Sequence, residues 1–211
     1  MRTTREYGNC GAGHGRAIDG YLSALRPAAH VLHLGCGANV RGEIDNLADR
    51  LSAYSRGRAR LLAADRPEMI DHLRKSLEQG LGYGRPLIDA LEIDATDMSG
   101  EIATATIDLV LALGLFGELR FGSDQKTSSF DDPGVRAATD RVLGECFRVL
   151  KPGGTMLISN SCVRQPEDVF TGLALQVGFR RLDSLIAFAA EGYENREHER
   201  YLLVLLRPAE S

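Results

Sequence analysis

Short, largely apolar runs recur along this chain, and stretches with helical spacing separate them. Residues 31–34, 61–64, 87–93, 107–113 and 155–159 are such runs. An apolar run bounded by turn signals reads as a strand buried on both faces. Between the runs, Ile44, Leu47, Leu51 and Tyr54 repeat at helical spacing, as do Ile70, Leu73 and Leu77. Strands that alternate with helices predict a parallel sheet covered on both sides. This one pattern excludes all-α and all-β architectures.

The ends of the chain extend the pattern. Ile18, Tyr21, Leu22 and Leu25 mark a first helix, with Pro27 ending it. Pro67 follows the acid of strand two and suits a first helical turn, where its missing N–H is no loss. Residues 120–134 are polar and rich in turn formers, so they read as a loop. Residues 135–150 read as a helix stopped by Lys151-Pro152-Gly153-Gly154, and 166–177 as another. The segments 179–190 and 201–207 read as a closing pair of antiparallel strands. The expected fold is α/β: Rossmann-like and doubly wound. Its mostly parallel seven-stranded sheet carries an antiparallel edge strand and has helices on both faces. Residues 1–211 are expected to form one domain, with 1–26 as an N-terminal lid or helix.

Composition narrows the partners. The net charge of −4 gives no global field for nucleic acid or an anionic membrane. No apolar run is long enough to span a bilayer, and the first fifteen residues lack the apolar core of a signal peptide. Cys10, Cys36, Cys146 and Cys162 are scattered without a C-x-x-C pair, which argues against a structural metal. Reduced thiols in a cytoplasmic protein are expected. A homodimer is compatible with the sequence but not legible in it.

In open α/β sheets, ligands sit at the carboxyl ends of strands. That rule selects 35–39, 65–66, 94–97, 112–118 and 160–164. Two glycine-rich stretches compete as a cradle. GAGHG, residues 11–15, has no strand before it and reads as a flexible segment, either part of a lid or an unstructured arm. LGCGAN, residues 34–39, has a buried strand before it and a helix after it. Gly35 and Gly37 suit positive φ and close approach of backbone to a ligand. Val40 stands where a dinucleotide fingerprint needs its third glycine, and no Gly-Lys-Ser/Thr occurs. Dinucleotide and nucleoside-triphosphate cradles are therefore disfavoured.

Six stretches in order resemble the class I S-adenosylmethionine (SAM)-dependent methyltransferases. They are VLHLGCGAN, LLAADRPEMIDHLRK, LEIDATDM, IDLVLALGLFGEL, FRVLKPGGTMLIS and LALQVGFRRLDSL. The most specific is FRVLKPGGTMLIS, which matches the family's helix, turn and fifth strand. The resemblance implies SAM as cofactor and S-adenosylhomocysteine as product. The backbone of Gly35, Cys36, Gly37 and Asn39 would meet the amino-acid tail. Asp65, with Arg66 beside it, would accept both ribose hydroxyls in one charge-assisted contact. The other reading of Asp65 is a carboxylate that starts the next helix. Asp94 would accept the adenine amino group, with Ala95 or Thr96 supplying a backbone N–H, and Asp97 could take the same role. Ala112 and Leu113 would line the sulfonium side.

The chain departs from the family at two letters. His33 replaces the usual acid, and Asn39 stands in place of a glycine. A neutral imidazole could accept from the tail ammonium, whereas an imidazolium would attract the tail carboxylate. The alternative is a histidine packed within the core. Asn39 tolerates left-handed backbone and would add side-chain hydrogen bonds. The interval from Gly35 to Asp65 is longer than usual for the family, so a longer helix or an inserted turn is expected there.

In-line methyl transfer needs mainly proximity and alignment. Candidate acceptor-side groups are Glu118, Tyr7 and His14, and Cys162 lies just beyond strand five. No Asn/Asp-Pro-Pro-Tyr follows strand four, so a small-molecule acceptor is expected rather than nucleic acid. Two rival readings stand. One is chemistry on the aminocarboxypropyl arm of SAM, releasing methylthioadenosine. The other is a non-catalytic binding protein that kept the fold.

Overall fold

The computed structural model describes residues 12–36, 40–78, 87–118, 129–160, 166–188 and 199–209. Seven strands form one sheet: β1 (His30–Leu34), β2 (Arg60–Asp65), β3 (Leu87–Glu92), β4 (Ile107–Leu113), β5 (Leu150–Asn160), β6 (Arg180–Phe188) and β7 (Glu199–Leu206). Their order is β3-β2-β1-β4-β5-β7-β6. β1 to β5 pair in parallel, and β7 runs antiparallel to both β5 and β6. The antiparallel edge pair is therefore β6–β7, with β7 slotted between β5 and β6. The strand order reverses between β1 and β4, the switch point at which α/β sheets open a crevice.

Helices cover both faces, and strand alternation assigns them. α1 (Ala12–Ser23), α2 (Val40–Ser55) and α3 (Pro67–Glu78) bury Ile18, Leu22, Ile44, Leu47, Leu51, Ile70 and Leu73. They pack on Val31, Leu61, Ala63, Leu109 and Leu111 of the sheet. The short α4 (Leu115–Glu118), α5 (Pro133–Val149) and α6 (Glu167–Val177) cover the other face. There Phe116, Val142, Cys146 and Phe170 meet Leu32, Leu34, Val110, Ala112, Met156 and Ile158. Successive strand residues thus feed two separate cores, as a period of two requires.

Local signals explain the helix limits. Asp132 caps α5 by accepting from the amides of Gly134 and Val135, and Pro133 fills the first turn. Gly178 closes α6 at φ 114°, in left-handed backbone.

The structure corrects several sequence expectations. From Ala12 onward, GAGHG is the first turn of α1 rather than a flexible segment. That helix ends at Ser23, before Leu25 and Pro27, and Leu25 packs on the core from the following turn. Tyr54 is 40% exposed, and buried Ser55 takes the inner position instead. The Ser55 hydroxyl bonds to Leu51 O and accepts from Ala59 N, closing α2. The long interval before Asp65 is filled by a sixteen-residue α2 and a tight turn with Arg56 and Gly57 at positive φ. The Lys151–Gly154 segment is no separate turn: α5 passes directly into β5, and the register with β4 shifts between Ile107 and Leu109. There Gly153 and Gly154 exchange backbone bonds with Arg207.

Candidate functional site

The first glycine turn, both candidate acids and the end of β4 meet in one row at the carboxyl ends of the central strands. Leu34 pairs with Ala64, and Asp65 pairs with Glu92, in adjacent parallel ladders. Backbone bonds continue the row past the strand ends. Gly35 N donates to Ala64 O at 2.9 Å, and Ile93 N donates to Asp65 O at 3.1 Å. On the far side of β4, Gly114 N donates to Ser159 O at 2.9 Å. Gly35 and Gly114 both have positive φ, at 70° and 90°.

Gly35 is constrained twice. A Cβ there would lie 2.9 Å from Leu115 Cδ1 and 3.1 Å from Leu115 Cβ. The glycine turn after β1 is thus packed directly under the start of α4. Cys36 is buried with the α1–α2 core. Gly37 and Asn39 lie outside the described residues. His33 is fully buried, with Ala63 and Leu111 as its strand neighbours. It occupies the α1–α2 face of the sheet, the same face as Val31.

Asp65 is half-buried at the end of β2, and its Oδ1 accepts from Arg66 N at 2.7 Å. Arg66 itself is exposed. Asp94 and Asp97 form two consecutive side-chain turns. Asp94 Oδ1 accepts from Thr96 N and Oγ1, both at 2.8 Å. Asp97 Oδ1 accepts from Ser99 Oγ at 2.7 Å and Ser99 N at 3.2 Å. Those bonds hold the Asp97 carboxyl below its ordinary range, with a smaller contribution from Arg148. Ala95 is half-buried against the α5 side of the core. Ala112 is fully buried in that core, while Leu113 keeps 8% exposure at the lip.

The acceptor-side candidates are only partly placed. His14 lies in the first turn of α1 and Glu118 is the last residue of α4. The side chains of both lie outside the described part, as do Tyr7 and Cys162 entirely. No group of three or more His, Cys, Asp or Glu residues among the described residues is arranged to hold a metal. No described helix is long and apolar enough to cross a membrane.

Two features here were missed in the sequence. Phe116, Phe130, Phe170 and Tyr201 form an aromatic cluster beneath the β4 lip, with Phe116 edge-on to Phe170 at 4.7 Å. Glu145 and Arg148 of α5 bond into the segment that follows β3. A large open groove of about 610 Å³ lies at the opposite end of the sheet, lined by Tyr21, Arg26, Asp108, Lys151 and Gly153 among others. Its central carboxylate is occupied within the protein: Asp108 Oδ2 accepts from His30 N at 2.9 Å and pairs with Lys151 Nζ at 2.7 Å.

The overall arrangement is similar to solved structures with very different sequences. The cyclase SpnF superposes with a TM-score of 0.66 at 14% identity, covering 100% of this chain and 86% of that one. A SAM-dependent methyltransferase from Methanosarcina mazei gives 0.61 at 15% identity, over 92% of this chain and 98% of that one. This chain has the class I SAM-dependent methyltransferase fold. The N-methyltransferase NodS from Bradyrhizobium japonicum, solved with S-adenosylhomocysteine, gives 0.58 at 11% identity, over 92% and 87% of the two chains. No family profile and no curated protein sequence matches the chain. The methyltransferase fold is thus carried by geometry at identities too low to carry substrate or reaction.

Proposed function

We propose that this chain is a SAM-dependent methyltransferase acting on a small-molecule acceptor. The observation that carries the reading is the row Gly35–Asp65–Asp94 at the switch point. There a positive-φ glycine turn and a half-buried strand-end carboxylate are tied together through Ala64 O and Asp65 O. The chemistry of SAM matches this set group by group. Asp65 would accept the two ribose hydroxyls. Asp94 would accept the adenine amino group through Oδ2, because Oδ1 already serves its own turn. The backbone from Gly35 to Asn39 would meet the amino-acid tail, with His33 behind it. Leu113 and Gly114 would border the sulfonium. SAM supplies a methyl group on a sulfur whose departure as a neutral thioether drives the displacement.

The protein's contribution is alignment and exclusion of water. Glu118, His14 and Tyr7 are the groups we assign to the acceptor side, where one of them would take the proton an O–H or N–H nucleophile gives up. A cytoplasmic setting is in keeping with Cys146, buried as a free thiol.

A second reading keeps SAM and changes the bond that breaks. It draws support from His33, which stands fully buried in place of the family's acid. Attack on the aminocarboxypropyl arm would release methylthioadenosine. The test is calorimetry with SAM, followed by mass spectrometry of the spent cofactor. S-adenosylhomocysteine supports methyl transfer, and methylthioadenosine supports the second reading. No heat at roughly 1 mM SAM, an affinity weaker than about −4 kcal/mol, would overturn both and leave the non-catalytic scaffold.

A further inference from the structure

We propose that Glu145 and Arg148 of α5 are positioning residues for the adenine end of the cofactor site, acting through the segment 94–104. The inference rests on the SAM reading given above.

Segment 94–104 has two kinds of bond. Its internal bonds set its shape: Asp94 to Thr96, Asp97 to Ser99, and the amides of Glu101 and Ile102 to Met98 O. None of these fixes where that shape sits relative to the sheet. At the entry, Ile93 N is held by Asp65 O. At the exit, Thr106 Oγ1 donates to Ala103 O at 2.8 Å, while Ala105 N and Thr106 N donate to Arg148 O and Val149 O of α5. Between entry and exit, the described side-chain tethers from another element come from two residues of one helical turn. Glu145 Oε2 accepts from Met98 N at 2.7 Å. Arg148 Nη1 donates to Ile102 O at 2.9 Å and to Thr104 Oγ1 at 3.2 Å. The two side chains also grip each other, Arg148 Nε to Glu145 Oε1 at 2.9 Å and Nη2 to Oε2 at 2.8 Å. That fork fixes both rotamers, so the tether points are preorganised.

The tethers lie next to the proposed adenine acid. Asp97 N donates to Asp94 O at 2.9 Å, and Met98 follows directly. Met98 and Ile102 are anchored below by burial, at 0% and 4% exposure. A shift of the Met98 amide is therefore passed to Asp94 through one hydrogen bond and one peptide unit. Neither Glu145 nor Arg148 lies at the cleft; they act on its adenine wall from the flank of α5. Supporting residues of this kind decide whether a site is held tightly or loosely.

The test uses the full-length protein and S-adenosylhomocysteine in calorimetry, well below each variant's melting temperature. Glu145→Ala is expected to weaken binding roughly five- to tenfold. Glu145→Gln, whose amide oxygen still accepts from Met98 N, is expected to recover to within about twofold of wild type. Lys151→Ala removes an ion pair at the opposite end of the sheet and is expected to leave affinity unchanged. Amide exchange across 93–104 is expected to quicken in Glu145→Ala but not in Glu145→Gln or Lys151→Ala. If Glu145→Ala does not fold, Arg148→Lys takes its place. Lysine lacks the planar fork that grips Glu145 through Nε and Nη2 while Nη1 serves Ile102 and Thr104, so a smaller loss with the same local exchange signature is expected. Glu145→Ala, or Arg148→Lys in its stead, that binds within about twofold of wild type would overturn the proposal, as would an equal loss in Lys151→Ala. Wild-type protein that binds no S-adenosylhomocysteine would instead overturn the cofactor reading, and this inference with it.

Discussion

Replacing Gly35 with alanine tests whether the turn after β1 is built as described. Two independent costs act at this position. Gly35 sits at φ 70°, in left-handed backbone, which costs an L-residue about 1–2 kcal/mol. The new methyl would also lie 2.9 Å from Leu115 Cδ1 and 3.1 Å from Leu115 Cβ. The Cδ1 contact is the far end of a side chain and can yield, but the Cβ contact moves only if α4 moves. Overpacking of this kind costs about 1–3 kcal/mol. The sum is about 2–5 kcal/mol, equivalent to a fall of roughly 4–20 °C in melting temperature for a domain of this size. The matched control is Gly20→Ala. Gly20 lies within α1, is exposed and has nothing within 4 Å of its added Cβ. There alanine is expected to stabilise by about 0.5–1 kcal/mol through helix propensity. Thermal and urea unfolding of the two variants should therefore move in opposite directions. A Gly35→Ala protein that melts within about 1 °C of wild type would show that the turn is not strained against α4. Gly35→Ala with Leu115→Ala should recover only the Cδ1 part of the packing loss, because alanine at 115 keeps the Cβ 3.1 Å away.

Three further outcomes are expected. Asp65→Ala should weaken SAM binding at least about tenfold, or about 1.4 kcal/mol; unchanged affinity in calorimetry would remove the ribose site from β2. The Arg148 hydrogen bonds, and then the Met98 amide, hold the Glu145 carboxyl below its ordinary value of 4.5. Its contribution to stability is therefore complete above that value and fades as pH falls through the lowered folded value, so wild type and Glu145→Gln should differ most near neutrality and converge in acid unfolding. Phe170→Ala should cost about 3–5 kcal/mol in denaturant unfolding, because Phe170 is fully buried and touches Phe116, Phe130 and Tyr201; a loss below about 1 kcal/mol would mean the cluster is not packed.

The elements legible in the sequence are those whose signal is local. Residues 107–113 are a continuous apolar run, and the structure returns β4 with those limits. Pro67 opens α3 because its ring and missing N–H are tolerated only in a first turn. Where two local signals compete, the reading fails. At GAGHG the glycines suggest a loop, yet Ile18 and Leu22 bury against the sheet and carry the helix back to Ala12. At Tyr54 and Ser55 the apolar period favours tyrosine inward. The inner position goes to the hydroxyl that closes the helix onto Leu51 O and Ala59 N. Lys151–Gly154 spells a turn, yet Gly153 and Gly154 bond to Arg207, a partner from the far end of the chain.

The same distinction divides the candidate site. Gly35, Asp65 and Asp94 each follow a recognisable strand, so their arrival at one edge follows from a parallel sheet alone: every such strand ends on the same side. What holds them in place follows no such rule. Leu115 under Gly35, Glu145 on Met98 N, and Phe170 among three rings join residues from different elements across long stretches of chain. None leaves a period or a spacing behind. Glu145 and Arg148 show the limit most sharply. Their i, i+3 spacing reads as an ordinary surface ion pair, worth little by itself. In the fold the same pair reaches the segment after β3 and becomes its tether. Chemistry that comes from strand ends is thus readable from sequence, while the stiffness that makes it a site comes from contacts only the fold creates.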